Sequence, residues 1–319
     1  MDTVSKRSVN ASLIKEEAFR LGFSACGIAD ARSVSEAYRL SLKKWLTEGC
    51  HAGMSYMENY FDKRCDLRSL VPGARSVIVV ALNYYPAKRL AVDHPQFAYY
   101  AYGRDYHDIM KEKLTELLHY IRSLSFCEGR VFCDTAPIPE RYWAQQAGLG
   151  FIGRNTQLIL PGKGSFFFLG ELVVTLPLTP DSPLKNHCGK CRRCIDACPT
   201  QALSSSEVSL DARKCISCQT IENRGPIPVE IAEHLGNRVY GCDTCQTVCP
   251  WNRFARATII DELQPSDEFL HLDTDRLQQL TRDDFNRIFR HSAVKRAKYE
   301  GLMRNVKTIV ENDGKPSRI

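Results

Sequence analysis

The stretch that decides the fold is CGKCRRCIDACP, residues 188–199, together with its counterpart GCDTCQTVCP at 241–250. The first reads Cys188-x2-Cys191-x2-Cys194-x3-Cys198-Pro199, and the second ends Cys242-x2-Cys245-x3-Cys249-Pro250. A tight loop with this spacing aims three thiolates at one 4Fe–4S cubane, while the cysteine before the proline reaches the neighbouring cluster. The crossed pattern assigns Cys188, Cys191, Cys194 and Cys249 to one cluster. The other takes Cys198, Cys242, Cys245 and one cysteine displaced upstream, Cys215 or Cys218. A structural zinc ion uses four ligands, so zinc accounts poorly for this set with its two Cys-Pro endings.

The rest of the sequence agrees with a metal-bearing protein of a reducing compartment. Nine of the 14 cysteines lie between Cys188 and Cys249. Disulfides rarely persist in the cytosol, where spaced cysteines more often bind metal. Cys26, Cys50, Cys65, Cys127 and Cys133 show no ligand spacing and read as small buried apolar residues. With 319 residues, 44% hydrophobic and 25% charged, the chain is an ordinary globular protein with room for a core. No apolar run approaches the roughly 18–20 residues of a membrane span. The stretch from Met1 to Ala11 is polar and lacks the apolar core of a signal peptide, so a cytoplasmic protein is expected. The net charge of +6 permits an anionic partner without demanding one.

Residues 1–180 mix helix and strand signals. Ile14, Ala18 and Leu21 share a helical face that Gly22 ends, and Met110, Leu114, Leu117, Leu118, Ile121 and Leu124 repeat at helical spacing. The run from Val77 to Leu82 reads as a fully buried strand, and Val131–Cys133 and Leu172–Leu176 as further strands. Strands alternating with helices suggest an α/β-type sheet. Thr179–Pro183 is a plausible linker. The expected class is therefore α+β: an α/β-type domain over 1–180, a ferredoxin-like two-cluster domain over 181–254, and a helical basic segment over 255–319. Two clusters make a one-electron wire. A ferredoxin does not need the preceding 180 residues, so something in that half should receive the electrons.

Several phrases resemble the epoxyqueuosine reductases of tRNA modification. They are LVPGARSVI at 70–78, YGRDYH at 102–107, DTAPIPER at 134–141, AGLGFIGRN at 147–155 and GSFFFLGE at 164–171. CIS at 215–217, TIE at 220–222, GCDTCQ at 241–246, VKRAK at 294–298 and LMRN at 302–305 continue the match over nearly the whole chain. The resemblance implies a cobalamin enzyme with two 4Fe–4S clusters that reduces epoxyqueuosine to queuosine at the tRNA wobble position. The implied partners are tRNA carrying epoxyqueuosine and an external electron donor, with no membrane and the chain a monomer. It also implies Cys215 as the eighth ligand, since the family usually has Tyr at the position of Cys218. Phe151 and Phe166 stand where Trp is common, which should preserve an apolar cofactor wall. Longer members carry C-terminal helical repeats, whereas this chain stops at Ile319. A dehalogenase-like cobalamin reductase and a non-enzymatic activator of a corrinoid enzyme are the alternatives. The dehalogenases usually carry a twin-arginine export signal.

Opening an epoxide and releasing its oxygen as water takes two electrons and two protons. Asp134 is the candidate proton donor, because it ends an apolar strand and precedes a Pro137-x-Pro139 loop. Burial against a corrin would raise its pKa and Arg141 would oppose that, a balance the sequence leaves open. Arg141 is the second candidate catalytic residue. Met57, Tyr102, Asp134, Asn155, Ser165, Leu169 and Asp243 are the expected cofactor contacts. Asp105-x-His107 resembles the start of the D-x-H-x-x-G motif of His-on cobalamin proteins, but Met110 replaces the glycine, so a base-off cofactor without a protein histidine on cobalt is expected. Gly148, Gly150 and Gly153 form G-x-G-x-x-G after a helical stretch, so a dinucleotide site fails and either a turn or close approach to the cofactor remains. Between Arg287 and Lys307 seven basic residues face one acid, Glu300. Lys295, Arg296, Lys298 and Arg304 are the expected tRNA contacts on that segment, with an ordinary solvated helix as the bland alternative.

Overall fold

The computed structural model describes residues 11–207 and 209–312; the polar start before Ala11 and positions 313–319 of the basic segment lie outside the described residues. Four strands, β1 (Ala25–Asp30), β2 (Ser76–Asn83), β3 (Gly129–Phe132) and β4 (Phe167–Val174), form a sheet in the order β1-β2-β4-β3. Every pairing is antiparallel, although helices do separate the strands along the chain. Five helices position the site: α1 (Ala11–Arg20), α2 (Glu36–Thr47), α3 (Tyr106–Leu124), α4 (Glu140–Gln146) and α5 (Lys298–Asn312).

The unbroken apolar run of β2 follows from cover on both faces. Ile78, Val80 and Leu82 join a core with Ile14 and Ala18 of α1 and Leu114 and Leu117 of α3. The alternate residues Val77, Val79 and Ala81 join Trp143 and Ala144 of α4. A strand with one wet face would alternate instead. Leu21 is buried as read from the sequence, and Gly22 leaves the helix at φ 91°. In α3, Met110, Leu114, Leu117, Leu118 and Ile121 are all buried.

The cysteine module contributes two one-turn helices, Arg193–Asp196 and Thr244–Thr247, which pack on each other. Residues between the motifs do not belong to the cluster fold alone. Ile216, Leu235 and Tyr240 share a second core with Phe97, Phe289 and Leu302. α5 therefore lies against the chain and buries Leu302, Asn305, Val306 and Ile309. No helix among the described residues is long and apolar enough to cross a membrane.

Candidate functional site

The two cysteine motifs bring their thiols together in the crossed pattern. Cys188, Cys191, Cys194 and Cys249 line one cavity of about 270 Å³, bounded by Trp251 and His187. Among the described residues no three His, Cys, Asp or Glu side chains converge as a single ion requires. The four thiols surround a volume instead, and a four-thiolate cage is the donor set of a cubane. Phe151 is fully buried edge-on to Trp251 and His187, behind this cavity.

The second set is equally legible. Burial pushes the Cys215 thiol up to about 11, with Cys242 and Cys198 adding to the rise. Cys245 is raised well above an ordinary thiol by burial and then by Cys242, Cys215 and Cys198. Cys215 and Cys245 thus each have Cys198 and Cys242 as neighbours. Cys218, pushed up to about 12 by burial, has Cys215 and Glu222 as its titratable neighbours.

A proton-handling group forms where β3 ends. Asp134 follows the strand at φ 55°, a left-handed backbone that an aspartate rarely adopts. Its Oδ2 lies 3.1 Å from His107 Nε2, and His107 Nδ1 lies 2.6 Å from Asp105 Oδ1. Asp105 caps α3 by accepting from the His107 backbone N–H. The His107 ring stacks on Tyr106 at 4.1 Å, and Tyr106 stacks on Phe168 of β4 at 4.1 Å. The imidazole is thus fixed at both nitrogens and on one face.

Among the chain's own groups the balance at Asp134 falls on the low side. Burial is the largest influence and raises its pKa, but the His107 hydrogen bond and charge, the Tyr106 hydrogen bond and Arg141 outweigh it, so the carboxyl is held below its usual range. The side chain is 57% exposed, yet its surroundings are dense enough for burial to weigh this heavily. Burial would lower His107, but its hydrogen bonds to Asp105 and Asp134 and their charges raise it to about 9. At neutral pH the proton therefore sits on the imidazole, poised against an Asp134 carboxylate.

Asp134 also neighbours Tyr56, which links it to the segment that carries Cys218. Tyr56 is 44% exposed. Its hydroxyl, pushed up to about 12 chiefly by burial, has Glu222, Arg296, Asp134 and Cys218 as titratable neighbours. Met57 follows in the same short turn, Ser55–Met57, half-buried.

A family described as epoxyqueuosine reductase QueG matches residues 64–135, and one described as a 4Fe-4S double cluster binding domain matches 187–252. An epoxyqueuosine reductase of Cellulophaga algicola is 45% identical over 307 residues, covering 96% of this chain and 99% of that one. That of Cyclobacterium marinum is 43% identical over 310 residues, covering 96% and 97%.

The chain belongs to the epoxyqueuosine reductase family. A crystal structure of an epoxyqueuosine reductase with an epoxyqueuosine-modified tRNA-Tyr stem loop superposes with a TM-score of 0.85 at 30% identity, covering 94% of this chain and 80% of that one. The Bacillus subtilis enzyme, described with an aspartate catalytic loop swung out of the active site, superposes at 0.86 and 30% identity, covering 94% and 81%. A catabolic reductive dehalogenase shares the fold, with a TM-score of 0.50 at 16% identity over 94% of this chain and 35% of that one.

Several residues expected to touch the cofactor also make bonds within the chain. Asn155 donates to the Cys245 carbonyl at 3.2 Å, Ser165 donates to Gln246 at 2.9 Å, and Asp243 accepts from the Tyr99 backbone at 2.7 Å. These bonds tie the sheet domain to the cluster module. Tyr102 is buried against Phe269 and Tyr99, and Leu169 is buried in the sheet. Gly150 is required by the chain itself, since a Cβ there would lie 2.3 Å from the Ile159 carbonyl oxygen. Met110 is fully buried beneath Gly170, so position 110 belongs to the core.

The basic segment is less free than its charge suggests. Arg304 donates to the carbonyls of Asn223, Gly225 and Gln219 at 2.6–3.0 Å. Arg296 makes a two-point pair with Glu222 at 2.9 and 2.7 Å. Lys295 reaches Asn286 at 2.5 Å and lies over the Phe285 ring. Lys298 is exposed. Sequence reasoning missed His107 as the partner of Asp134, and missed Tyr56, Glu140 and Glu171. The one available signal was Asp105-x-His107, whose spacing fixes the imidazole from the cap of α3.

Proposed function

We propose that this chain reduces epoxyqueuosine to queuosine in tRNA, with two 4Fe–4S clusters and a bound cobalamin. The observation that carries the reading is the convergence at Tyr56 of Asp134, paired with His107, and Cys218, three positions along from the proposed ligand Cys215. A cofactor that takes electrons from a cluster and delivers them beside an acid fits between them. Thr156, next to Asn155, adds a buried hydroxyl with no partner among the described residues, the kind of group a polar cofactor edge satisfies. Met57, Tyr56, Asp134 and Arg141 would border the cobalamin on the cleft side. When bound, cobalamin supplies the electrons to the substrate, refilled through the clusters from an external donor.

The chain's own residues supply proton control. The imidazolium of His107 holds one proton at Nε2 against Asp134 Oδ2. As charge develops on the opening epoxide oxygen, Asp134 takes that proton and presents it. Asp105 keeps the ring oriented throughout and stabilises its positive form. The modified base reaches this group by leaving its stack in the anticodon loop.

Anaerobic reconstitution with cobalamin and a chemical reductant, followed by nucleoside analysis of epoxyqueuosine-containing tRNA, tests the reading. Asp134→Asn should keep clusters and bound cobalamin yet lose roughly 100-fold or more of turnover, as expected for removal of a general acid. Near-wild-type conversion with full cofactor content would remove Asp134 from the mechanism.

A further inference from the structure

Behind Asp134 lies a pair of carboxyls that the proposed reaction has not yet used. Glu171 sits on the central strand β4, with Val79 and Phe132 opposite it on the two neighbours. Its side chain has 0% exposure, and no donor among the described residues reaches either oxygen. A bare carboxylate in such a place is prohibitively costly, so Glu171 must be a neutral acid. Helix α4 crosses this face of the sheet and begins with Glu140. Glu140 Oε1 accepts from the Asp134 backbone N–H at 2.5 Å, so it touches the catalytic loop directly.

We propose that Glu140 is a second proton donor, passing its proton to Asp134 after the first has left, and that Glu171 is a positioning acid that stays protonated and supports the Glu140 carboxylate this creates. The inference rests on the reduction proposed above, which consumes two protons while the His107–Asp134 pair holds one. The step balances: the Glu140 O–H bond breaks, an O–H bond forms on Asp134, and Glu140 is left as an anion until solvent re-protonates it. A neutral Glu171 puts no second buried charge beside that anion, which leaves Glu140 as the member of the pair able to ionise.

The surroundings fit these roles. Burial and the nearby Asp134 raise Glu140 to about 7, with the Asp134 N–H, Arg141 and His107 opposing. Glu171 is raised well above a usual carboxylate by burial, then by Glu140 and Asp134. Tyr106 and Cys133 are the remaining titratable groups of the cluster, and both are held in their neutral forms by burial and the acids around them. Glu140 thus gives up its proton near neutrality and Glu171 does not.

Glu140→Gln keeps the oxygen that accepts from Asp134 but removes the proton, whereas Glu140→Ala removes both. Infrared spectra of the reconstituted protein should show a protonated-carboxyl carbonyl band that titrates near pH 7 and is absent in Glu140→Gln. A second such band should persist to higher pH and vanish in Glu171→Gln. Epoxyqueuosine conversion by Glu140→Gln should fall at least about 10-fold, and the loss of rate through pH 7 in wild type should disappear. A wild-type rate and pH profile in Glu140→Gln, with loss only in Glu140→Ala, would reduce Glu140 to a loop anchor and overturn the proposal, as would the absence of either infrared band. The bands do not depend on turnover. A wild-type protein that shows both bands but converts no epoxyqueuosine would count against the proposed reaction and leave the acid pair standing.

Discussion

Replacing His107 by Asn should remove the cation that keeps Asp134 ionised, and the size of the effect can be worked out. The imidazole rises from an ordinary 6.5 to about 9. At about 1.4 kcal/mol per unit, this corresponds to roughly 3 kcal/mol of preference for the charged ring. Asp134 is 57% exposed, so solvent screening reduces what the fold gains to about 1–2 kcal/mol. Because the folded value is raised, this stability is present below pH 6.5 and is lost as pH climbs through about 9. The melting temperatures of wild type and His107→Asn should therefore differ most near pH 6 and converge above pH 9. Turnover supplies the second assay. Without the imidazolium, burial is less opposed at Asp134 and its carboxyl rises. His107→Asn should lose about 10–100-fold of conversion at pH 7.5 and recover part of it at pH 5.5, where Asp134 binds a proton itself. A variant whose rate and melting profiles parallel wild type across this range would show that the two carboxylates merely tolerate the ring.

Three further outcomes are expected of the clusters and the basic segment. Cys218→Ser should retain about eight irons per chain, while Cys215→Ser falls well short of that, as iron and sulfide analysis would show; the reverse result would exchange the two assignments. Arg304→Ala strands the carbonyls of Asn223, Gly225 and Gln219 and should destabilise the fold by about 2–4 kcal/mol in chemical denaturation, without altering the salt dependence of tRNA binding. Lys295→Ala with Arg296→Ala should flatten the plot of log affinity against log salt by up to roughly 0.7–0.9 for each phosphate left without its cation; an unchanged slope would move the tRNA surface to the cleft around Tyr56.

What the sequence disclosed and what it hid divide along a physical line. The cluster cysteines were legible because ligand spacing is a local property: Cys188, Cys191 and Cys194 need one tight loop, and only Cys249 is distant. The buried strand and the faces of α1 and α3 were legible because burial imposes a period. The antiparallel pairing was not, since alternation of helix and strand does not fix strand direction. Residues whose meaning depends on a remote partner were opaque. Asp134 and His107 stand 27 positions apart, and nothing local marks them as an ion pair. Glu171 reads as one polar interruption in an apolar strand until the fold buries it between Val79 and Phe132 with Glu140 and Asp134 nearby. Arg304 counts as positive charge in the sequence and as a three-carbonyl clasp in the fold. A tally of basic residues could not distinguish the two.

The crossed placement of the cysteines has a consequence for assembly. Cys249, from the second motif, closes the first cage, and Cys198, from the first motif, stands among the second set. Neither loop can finish its own cage, so each inorganic core acts as a rivet through both segments. Maturation should behave as a single cooperative event: a half-filled chain leaves thiolates stranded on each side, and oxidative loss of one core should quickly loosen the other. Native mass spectrometry during iron and sulfide addition should show empty and fully loaded chains with little between them. A large, persistent population carrying one core would mean that the two cages mature independently despite their shared segments.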